Sequence, residues 1–165
     1  MSDGGTPRET MALGEGEMMT ATYFEFEKKL YLFDTDATQI AYYSRHLEWM
    51  EAARIELIAR IYKPLPRVIS EDGVSFVPIH LSIDYKSPAL FGDVVKVRVG
   101  IQSTDRLKMV LAYQIVKPVQ GREVIVSEAE ITLVCVDVAR GGRPTRIPSQ
   151  LAEVLATWEA RLGQS

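Results

Sequence analysis

The stretch "FDTDATQIAYYSRHLEWMEAAR", residues 33–54, decides the fold because the chain changes from a bend to a helix within it. Its first part carries two aspartates, Asp34 and Asp36, and predicts a turn. From Tyr42 to about Tyr62 apolar residues recur at spacings of three and four, which predicts an amphipathic helix. Ser44 stands where it could cap that helix, and the segment Lys63-Pro64-Leu65-Pro66 ends it.

The rest of the chain has the pattern of a sheet. One aromatic-rich strand, from Thr22 to Phe33, is predicted before the helix. Four more are predicted after it: Val74 to Tyr85, Val94 to Ile101, Leu107 to Val116 and Glu123 to Val138. Short turns between strands imply antiparallel pairing, and a long helix among such strands must pack on the face of the sheet. We therefore expect an α+β domain with a curved antiparallel sheet around one long helix, followed by a terminal helix from Ser149 to Leu162.

Length and composition narrow the class of protein. The chain has 165 residues, which favours one domain, and a net charge of −3 without a basic tract, which argues against nucleic acid as a partner. Cys135 is the only cysteine and no Cys/His cluster has metal-ligand spacing, so we expect no metal and a reducing, cytoplasmic location. Residues 1–21 lack the apolar run of a signal peptide and are expected to be a disordered leader. No apolar run is long enough for a membrane span.

Three segments, in order along the chain, carry a resemblance to a known family. They are the opening stretch, "FVPIHLSIDYKSPALFGD" (residues 76–93) and "VCVDVARGGRPTRIP" (residues 134–148). Together they resemble the hotdog-fold acyl-CoA thioesterases of the 4-hydroxybenzoyl-CoA type, including the bacterial branch linked to the Tol–Pal envelope system. The resemblance implies a hotdog domain over residues 22–148. It also implies an acyl-CoA or acyl-carrier-protein thioester as substrate, no cofactor other than that coenzyme A, and a homodimer at least, with a homotetramer favoured.

The resemblance also implies a catalytic pair. The second aspartate of the family's Asp-x-Asp motif is the catalytic carboxylate and corresponds to Asp36, while a backbone N–H at the helix start, corresponding to Tyr43, polarises the thioester carbonyl. This chain has Thr38 and Gln39 where the family has a glycine pair, and Tyr43 where many members have histidine.

The residues themselves leave two interpretations of Asp36 open. A carboxylate at this position can attack a thioester or activate a water molecule, and helix N–H groups can stabilise the oxyanion. An Asp-Thr-Asp sequence before a helix is also ordinary turn chemistry. For Asp34 we expect only a role in bracing the loop.

Further candidates for substrate contact lie in the helix, in one strand and in two turns. Arg45 and His46 lie in the first helical turn, Glu51 is a rival carboxylate further along, and His80 lies in a strand. Arg106, Lys108 and Arg143 are candidates for the phosphates of coenzyme A. Solvated charges and a packed, hydrogen-bonded histidine are the simpler explanations. Two further functions stay open: a non-catalytic acyl-thioester-binding protein, and a hotdog dehydratase using His46 with Glu51.

Overall fold

The computed structural model describes residues 11–14, 16–19 and 23–162. Eight strands form one antiparallel sheet: β1 (Met11–Gly14), β2 (Glu17–Met19), β3 (Phe24–Lys29), β4 (Val74–Tyr85), β5 (Val94–Thr104), β6 (Lys108–Val119), β7 (Arg122–Asp137) and β8 (Arg143–Pro144). The strand order is β1-β2-β3-β5-β6-β7-β4, with β8 paired to β7, so β4 lies at an edge. The helices are α1 (Arg45–Ile61), α2 (Leu65–Arg67) and α3 (Ser149–Leu162).

The core forms where α1 lies on one face of the sheet. The buried residues of α1 recur every three or four positions and include Met50, Ala53 and Leu57. Alternate residues of β5 meet this helix face, because successive strand residues point to opposite faces of the sheet; they are Val95, Val97, Val99 and Ile101, all fully buried. The predicted α+β architecture, a curved sheet around one long helix, is thereby confirmed.

The start of α1 differs from the prediction. The helix begins at Arg45 rather than at Tyr42, because residues 42–45 form a turn closed by a 2.9 Å hydrogen bond from the Arg45 N–H to the Tyr42 carbonyl. Ser44 makes no side-chain cap hydrogen bond, so the expected cap is absent. The first N–H groups of the helix therefore lack the partner that a capping side chain normally supplies.

The strand before α1 is also shorter than predicted. β3 ends at Lys29, and Leu32–Asp34 form a 3₁₀ turn in place of its predicted last residues. The Asp34 carboxylate is buried there, accepts a 2.8 Å hydrogen bond from the Tyr31 N–H and lies 3.1 Å from the Lys28 ammonium group. Asp34 thus braces the loop, as expected.

Part of the segment that we assigned to a disordered leader is paired with the sheet. β1 and β2 belong to it, and β2 pairs with β3 in the register Glu17↔Phe26. The Glu17 carboxylate also lies 2.7 Å from the Arg60 guanidinium of α1. Residues 1–10, 15 and 20–22 lie outside the described residues, as do residues 163–165 of the terminal segment. Within the part of the chain that the structure describes, no helix is both long and apolar enough to cross a membrane.

Substitution Leu57→Ala tests how strongly the helix–sheet core supports the fold. Leu57 is fully buried between α1 and the sheet, so the change removes buried apolar contacts and leaves a cavity. We expect the free energy of unfolding, measured by urea denaturation, to fall by about 2–5 kcal/mol. Leu32→Ala is the matched control, because that leucine is 63% exposed and its truncation leaves no cavity. Equal losses for both variants would contradict this packing.

Candidate active site

A short hairpin before α1 brings Asp36 back to the start of the helix. Thr35 and Ala41 form an antiparallel bridge, and the Asp36 N–H donates a 2.9 Å hydrogen bond to the Ile40 carbonyl. The Tyr42 N–H donates to the Asp34 carbonyl at 2.9 Å, which closes the base of the hairpin. The reason for the tight turn is local, since Gln39 takes a left-handed φ of 64°, where the family pattern has glycine.

The Asp36 side chain lies at the tip of this hairpin and is exposed to solvent. One of its oxygens, Oδ1, accepts hydrogen bonds from both the hydroxyl and the backbone N–H of Thr38. These two bonds, the hydroxyl first, hold the pKa of Asp36 below its usual value. The carboxylate is therefore ionised at neutral pH. No described residue donates a hydrogen bond to the second oxygen, Oδ2.

The tyrosine pair that follows lies near this charge. The rings of Tyr42 and Tyr43 lie 4.5 Å apart between centroids, and both side chains are exposed. The pKa of Tyr42 is raised, mainly by Tyr43 and in smaller part by the negative charge of Asp36. Asp36 is thus within electrostatic range of the Tyr42 side chain.

The backbone of the helix start is held in place from one side. No described residue accepts a hydrogen bond from the N–H of Tyr43 or of Ser44. The hydroxyl of Tyr85, at the end of β4, donates a 2.8 Å hydrogen bond to the Tyr43 carbonyl. Because the C=O and N–H of one trans peptide point in opposite directions, this bond turns the Ser44 N–H away from Tyr85. The result is a pair of amide N–H groups that are held from one side and have no acceptor among the described residues.

A cavity of about 230 Å³, the start cavity, opens beside these donors. Its lining includes Ile40, Tyr43, His46, Tyr85, Lys86 and Ala89. Asp36 is not among the lining residues, whereas Ile40 and Ala41 from the other arm of its hairpin are. Lys86 is the one basic side chain in the wall of the start cavity, and its ammonium group lies 3.4 Å from Glu128.

His46 forms part of that wall but is buried, with 3% of its surface exposed. Its Nδ1 lies 2.9 Å from the Ser127 hydroxyl, and its ring packs between Trp49 and Tyr85. Burial lowers the pKa of His46 to about 4, so the ring is neutral at physiological pH. His46 supports the start of α1 and does not face Asp36 as a charged partner.

Glu51 and Arg45 make ion pairs on the surface of α1. Glu51 is exposed and lies 3.4 Å from Arg54, while Arg45 lies 2.7 Å from Glu48. His46 and Glu51 are five residues apart, which places them about 140° apart around the helix. The two groups therefore do not converge within one chain.

The remaining predicted residues lie away from the helix start of their own chain. Lys108 pairs with Val134, which pairs in turn with Val77 of β4. The helix start lies beside Tyr85, at the other end of β4. Eight strand residues, or roughly 27 Å along the sheet, separate Val77 from Tyr85. Arg106 and Arg143 lie at the same distant end. His80 is exposed rather than packed, because it alternates with Leu81 and so points to the face opposite α1.

Sequence reasoning did not identify the roles of four residues: Tyr85, Ser127, Lys86 and Thr38. Of these, Thr38 orients Asp36. Only Thr38 left a local signal, because a hydroxyl two residues after an aspartate favours this type of turn.

Metal and thiol chemistry find little support in the described residues. They contain no group of three His, Cys, Asp or Glu side chains that could hold a metal ion. Burial raises the pKa of Cys135 to about 11, which keeps the thiol protonated.

The sequence profile of the thioesterase-like superfamily matches residues 31–155. The chain belongs to this superfamily. Acyl-CoA thioester hydrolase YbgC of Escherichia coli is 26% identical to it over 133 residues, which cover 81% of this chain and 96% of the relative. The long-chain acyl-CoA thioesterase FadM of Escherichia coli is 24% identical over 106 residues, which cover 64% of this chain and 77% of the relative.

The fold recurs in solved thioesterase structures. The 4-hydroxybenzoyl-CoA thioesterase of Pseudomonas sp. strain CBS-3 superimposes with a TM-score of 0.74 at 17% identity, over 81% of this chain and 99% of that structure. This likeness concerns the fold alone. Together with membership of the thioesterase-like superfamily, it confirms the predicted hotdog fold, and the family and its named relatives confirm the predicted class of enzyme, a thioesterase.

Substitution His46→Gln tests the buried histidine. The unfolded chain protonates this ring near pH 6.5 and the folded chain only near pH 4, so the unfolded state binds more protons between these values. The free energy of unfolding should therefore fall as pH falls through that window, with His46 contributing a slope of up to about 1.4 kcal/mol per pH unit, and should be independent of His46 above it. We expect denaturation curves of His46→Gln, measured from pH 7 to pH 5, to lack this part of the slope. If the free energy of unfolding changes with pH by the same amount in both proteins, His46 is not buried as a neutral ring.

Proposed function

We propose that this thioesterase hydrolyses acyl-CoA esters at the start of α1, with Asp36 as the reacting carboxylate and the Tyr43 N–H as the donor to the carbonyl oxygen. The observation that carries this proposal is the pair of unbonded N–H groups, at Tyr43 and Ser44, beside a hairpin that holds an ionised aspartate. The acyl-CoA activity in the names of the relatives supports the choice of carrier. An acyl-carrier-protein ester presents the same carbonyl and remains an alternative carrier.

The reaction follows from what each group can do. The amide donors and the positive end of the α1 dipole stabilise the negative charge that develops on the carbonyl oxygen. The Asp36 carboxylate either attacks the carbonyl carbon or takes a proton from a water molecule that attacks. In both cases the carbon–sulfur bond then breaks, and the coenzyme A thiolate leaves and is protonated. After direct attack, water hydrolyses the mixed anhydride between the acyl group and Asp36, which releases the free acid and restores the carboxylate. No cofactor beyond the coenzyme A of the substrate takes part.

The proposed active unit is a homodimer formed along β4. This edge strand exposes apolar side chains over most of its length: Val77, Ile79, Leu81 and Tyr85 are each at least 40% exposed. A long strand edge with exposed apolar side chains needs a cover, and a second copy of β4 supplies both backbone hydrogen bonds and apolar contact. A homotetramer, formed by two such dimers, remains the expected larger assembly.

Antiparallel pairing of β4 with its copy also accounts for the distant basic residues. The pairing would place the Val77 end of one strand beside the Tyr85 end of the other. The partner's Lys108 would then lie at the same end of the dimer as the helix start of the first chain. The partner's Arg106 and the partner's Arg143, which lie at the same end of the sheet as its Lys108, would be there too. These bases, with Lys86 and Arg45 of the first chain, are the proposed contacts of the coenzyme A phosphates. A cytoplasmic location, where Cys135 remains a free thiol, fits this substrate.

A binding protein without catalysis is the second candidate function. The observation that favours it is the engagement of Asp36 with Thr38, which could make the carboxylate a turn residue only. Binding of acyl-CoA without any hydrolysis would establish this alternative.

The pair Asp36→Asn and Glu51→Gln tests the assignment of the carboxylate. Both changes replace an exposed carboxylate by an isosteric amide, so each variant controls for the other. We expect Asp36→Asn to lower kcat by at least about 100-fold on a panel of acyl-CoA esters, because a positioned acid or base contributes that much or more. Glu51→Gln should keep kcat within a few-fold of wild type. The reverse result would make the helix carboxylate the reagent.

Substitution Ile79→Lys tests the proposed dimer. Ile79 is 52% exposed in the middle of β4, and a lysine there would place a charge in the apolar contact with the copy of the strand. We expect analytical ultracentrifugation to show an assembly of at least two chains for wild type and monomers for Ile79→Lys. Val119→Lys, on an exposed position of β6 away from this edge, is the control and should keep the wild-type mass. A wild-type monomer would contradict the proposal.

A further inference from the structure

A second cavity, the mid-helix cavity, lies further along α1. Its volume is about 210 Å³, and a cavity of about 150 Å³ in another protein is large enough to bind benzene. Its apolar wall is formed by Leu47, Pro78, Leu81, Ile131 and Leu133. Three polar residues complete the lining: Glu51, Arg54 and Tyr113.

The Tyr113 hydroxyl has no hydrogen-bond partner among the described residues, although the side chain is only 4% exposed. It is the one buried side-chain nitrogen or oxygen of the described part of the chain in this condition. Burial raises the pKa of Tyr113, so the group is a protonated donor. A buried donor without a partner costs free energy, and native proteins rarely keep one without a reason.

The neighbouring ion pair does not use this hydroxyl. The Arg54 guanidinium lies 3.4 Å from Glu51 and donates a 3.4 Å hydrogen bond to the Phe76 carbonyl. Glu51 is largely exposed, which places the pair towards the mouth of the cavity and Tyr113 towards its floor. The floor therefore offers a single free donor among aliphatic side chains.

The mid-helix cavity lies further along α1 than the start cavity. Both α1 and β4 contribute to each lining: His46 and Tyr85 line the start cavity, and Leu47 and Leu81 line the mid-helix cavity. From the helical rise, Leu47 lies about 6 Å and Arg54 about 16 Å along the axis from Tyr43. An acyl group whose carbonyl meets the Tyr43 N–H and which runs along α1 towards Arg54 thus reaches the level of the mid-helix cavity.

We propose that the mid-helix cavity binds the far end of the acyl group and that the Tyr113 hydroxyl donates a hydrogen bond to an oxygen on it. This inference rests on the proposed function, and it names the substrate class: acyl-CoA esters whose acyl group carries a hydroxyl or keto oxygen remote from the thioester. A purely hydrocarbon acyl group would leave the donor unpaired in an apolar site, which is the situation that lets enzymes reject substrates lacking a polar group.

The test compares matched esters on the full-length protein. Medium-chain acyl-CoA esters are assayed as the plain ester and as isomers with one hydroxyl group at successive carbons. We expect wild type to hydrolyse at least one hydroxylated isomer with kcat/KM about tenfold above that of the plain ester. Tyr113→Phe should bring this ratio close to one. Tyr62→Phe, which removes a hydroxyl bonded to Asp72 instead, is the control and should keep the wild-type ratio.

Two outcomes separate this inference from the proposed function. If wild type hydrolyses the plain esters and every ratio is close to one, the function stands and the inference is overturned. If no ester is hydrolysed, the proposed function fails, and the dissociation constants of the same pairs of esters, measured by calorimetry, decide the inference. Equal dissociation constants overturn it. Tighter binding of a hydroxylated isomer by wild type, but not by Tyr113→Phe, supports it.

Thermal unfolding gives an independent check. Because Tyr113→Phe removes an unpaired donor, its melting temperature should equal or exceed that of wild type. A clear fall would show that the hydroxyl already has a partner, such as a side chain of a second copy, and would overturn the inference.

Discussion

The absence of a capping side chain at the start of α1 is the constraint on which the site depends. A helix normally satisfies its first N–H groups with a capping side chain, with water or with a ligand. Here Ser44 has helical backbone angles and makes no cap bond, and the chain enters the helix through a turn. The buried face of α1 fixes its position against the sheet, and the Tyr85 hydroxyl holds the peptide after Tyr43. The donors are consequently held rigidly and left available.

The hairpin before α1 uses one oxygen of Asp36 for turn chemistry and leaves the other for the proposed catalysis. The bonds from Thr38 close the turn through Oδ1 and leave Oδ2 without a partner among the described residues. The same bonds lower the pKa of Asp36, which ensures an ionised group without a neighbouring cation. Gln39 accepts a left-handed conformation to make this possible, at a cost that a glycine would avoid.

Much of the fold could be predicted from the sequence because its signals are local. The three-and-four spacing of Met50, Leu57 and Ile58 marks α1, and the alternation of Val95, Val97 and Val99 marks a half-buried strand. The start of α1 and the end of β3 were harder, since each adjoins a turn whose hydrogen bonds depend on the arrangement of the loop between them.

The environment of the site could be predicted less well, because it depends on contacts between distant residues. His46 meets Ser127, which is 81 positions away, and nothing near either residue announces the pair. The isolation of the Tyr113 hydroxyl likewise depends on which side chains the sheet and helix bring around it. The basic residues were assigned from charge alone, and charge does not reveal that Lys108 lies at the other end of the sheet.

The central claim is that the thioester carbonyl lies at the start of α1, between the Tyr43 N–H and Asp36. A crystal structure of the protein with a non-hydrolysable acyl-CoA analogue, in which a ketone replaces the thioester, measures this position directly. The account predicts a carbonyl oxygen about 3 Å from the Tyr43 nitrogen, with the Asp36 carboxylate on the open face of the carbonyl carbon. A carbonyl beside Glu51, or one with its oxygen out of reach of both Tyr43 and Ser44, would contradict it.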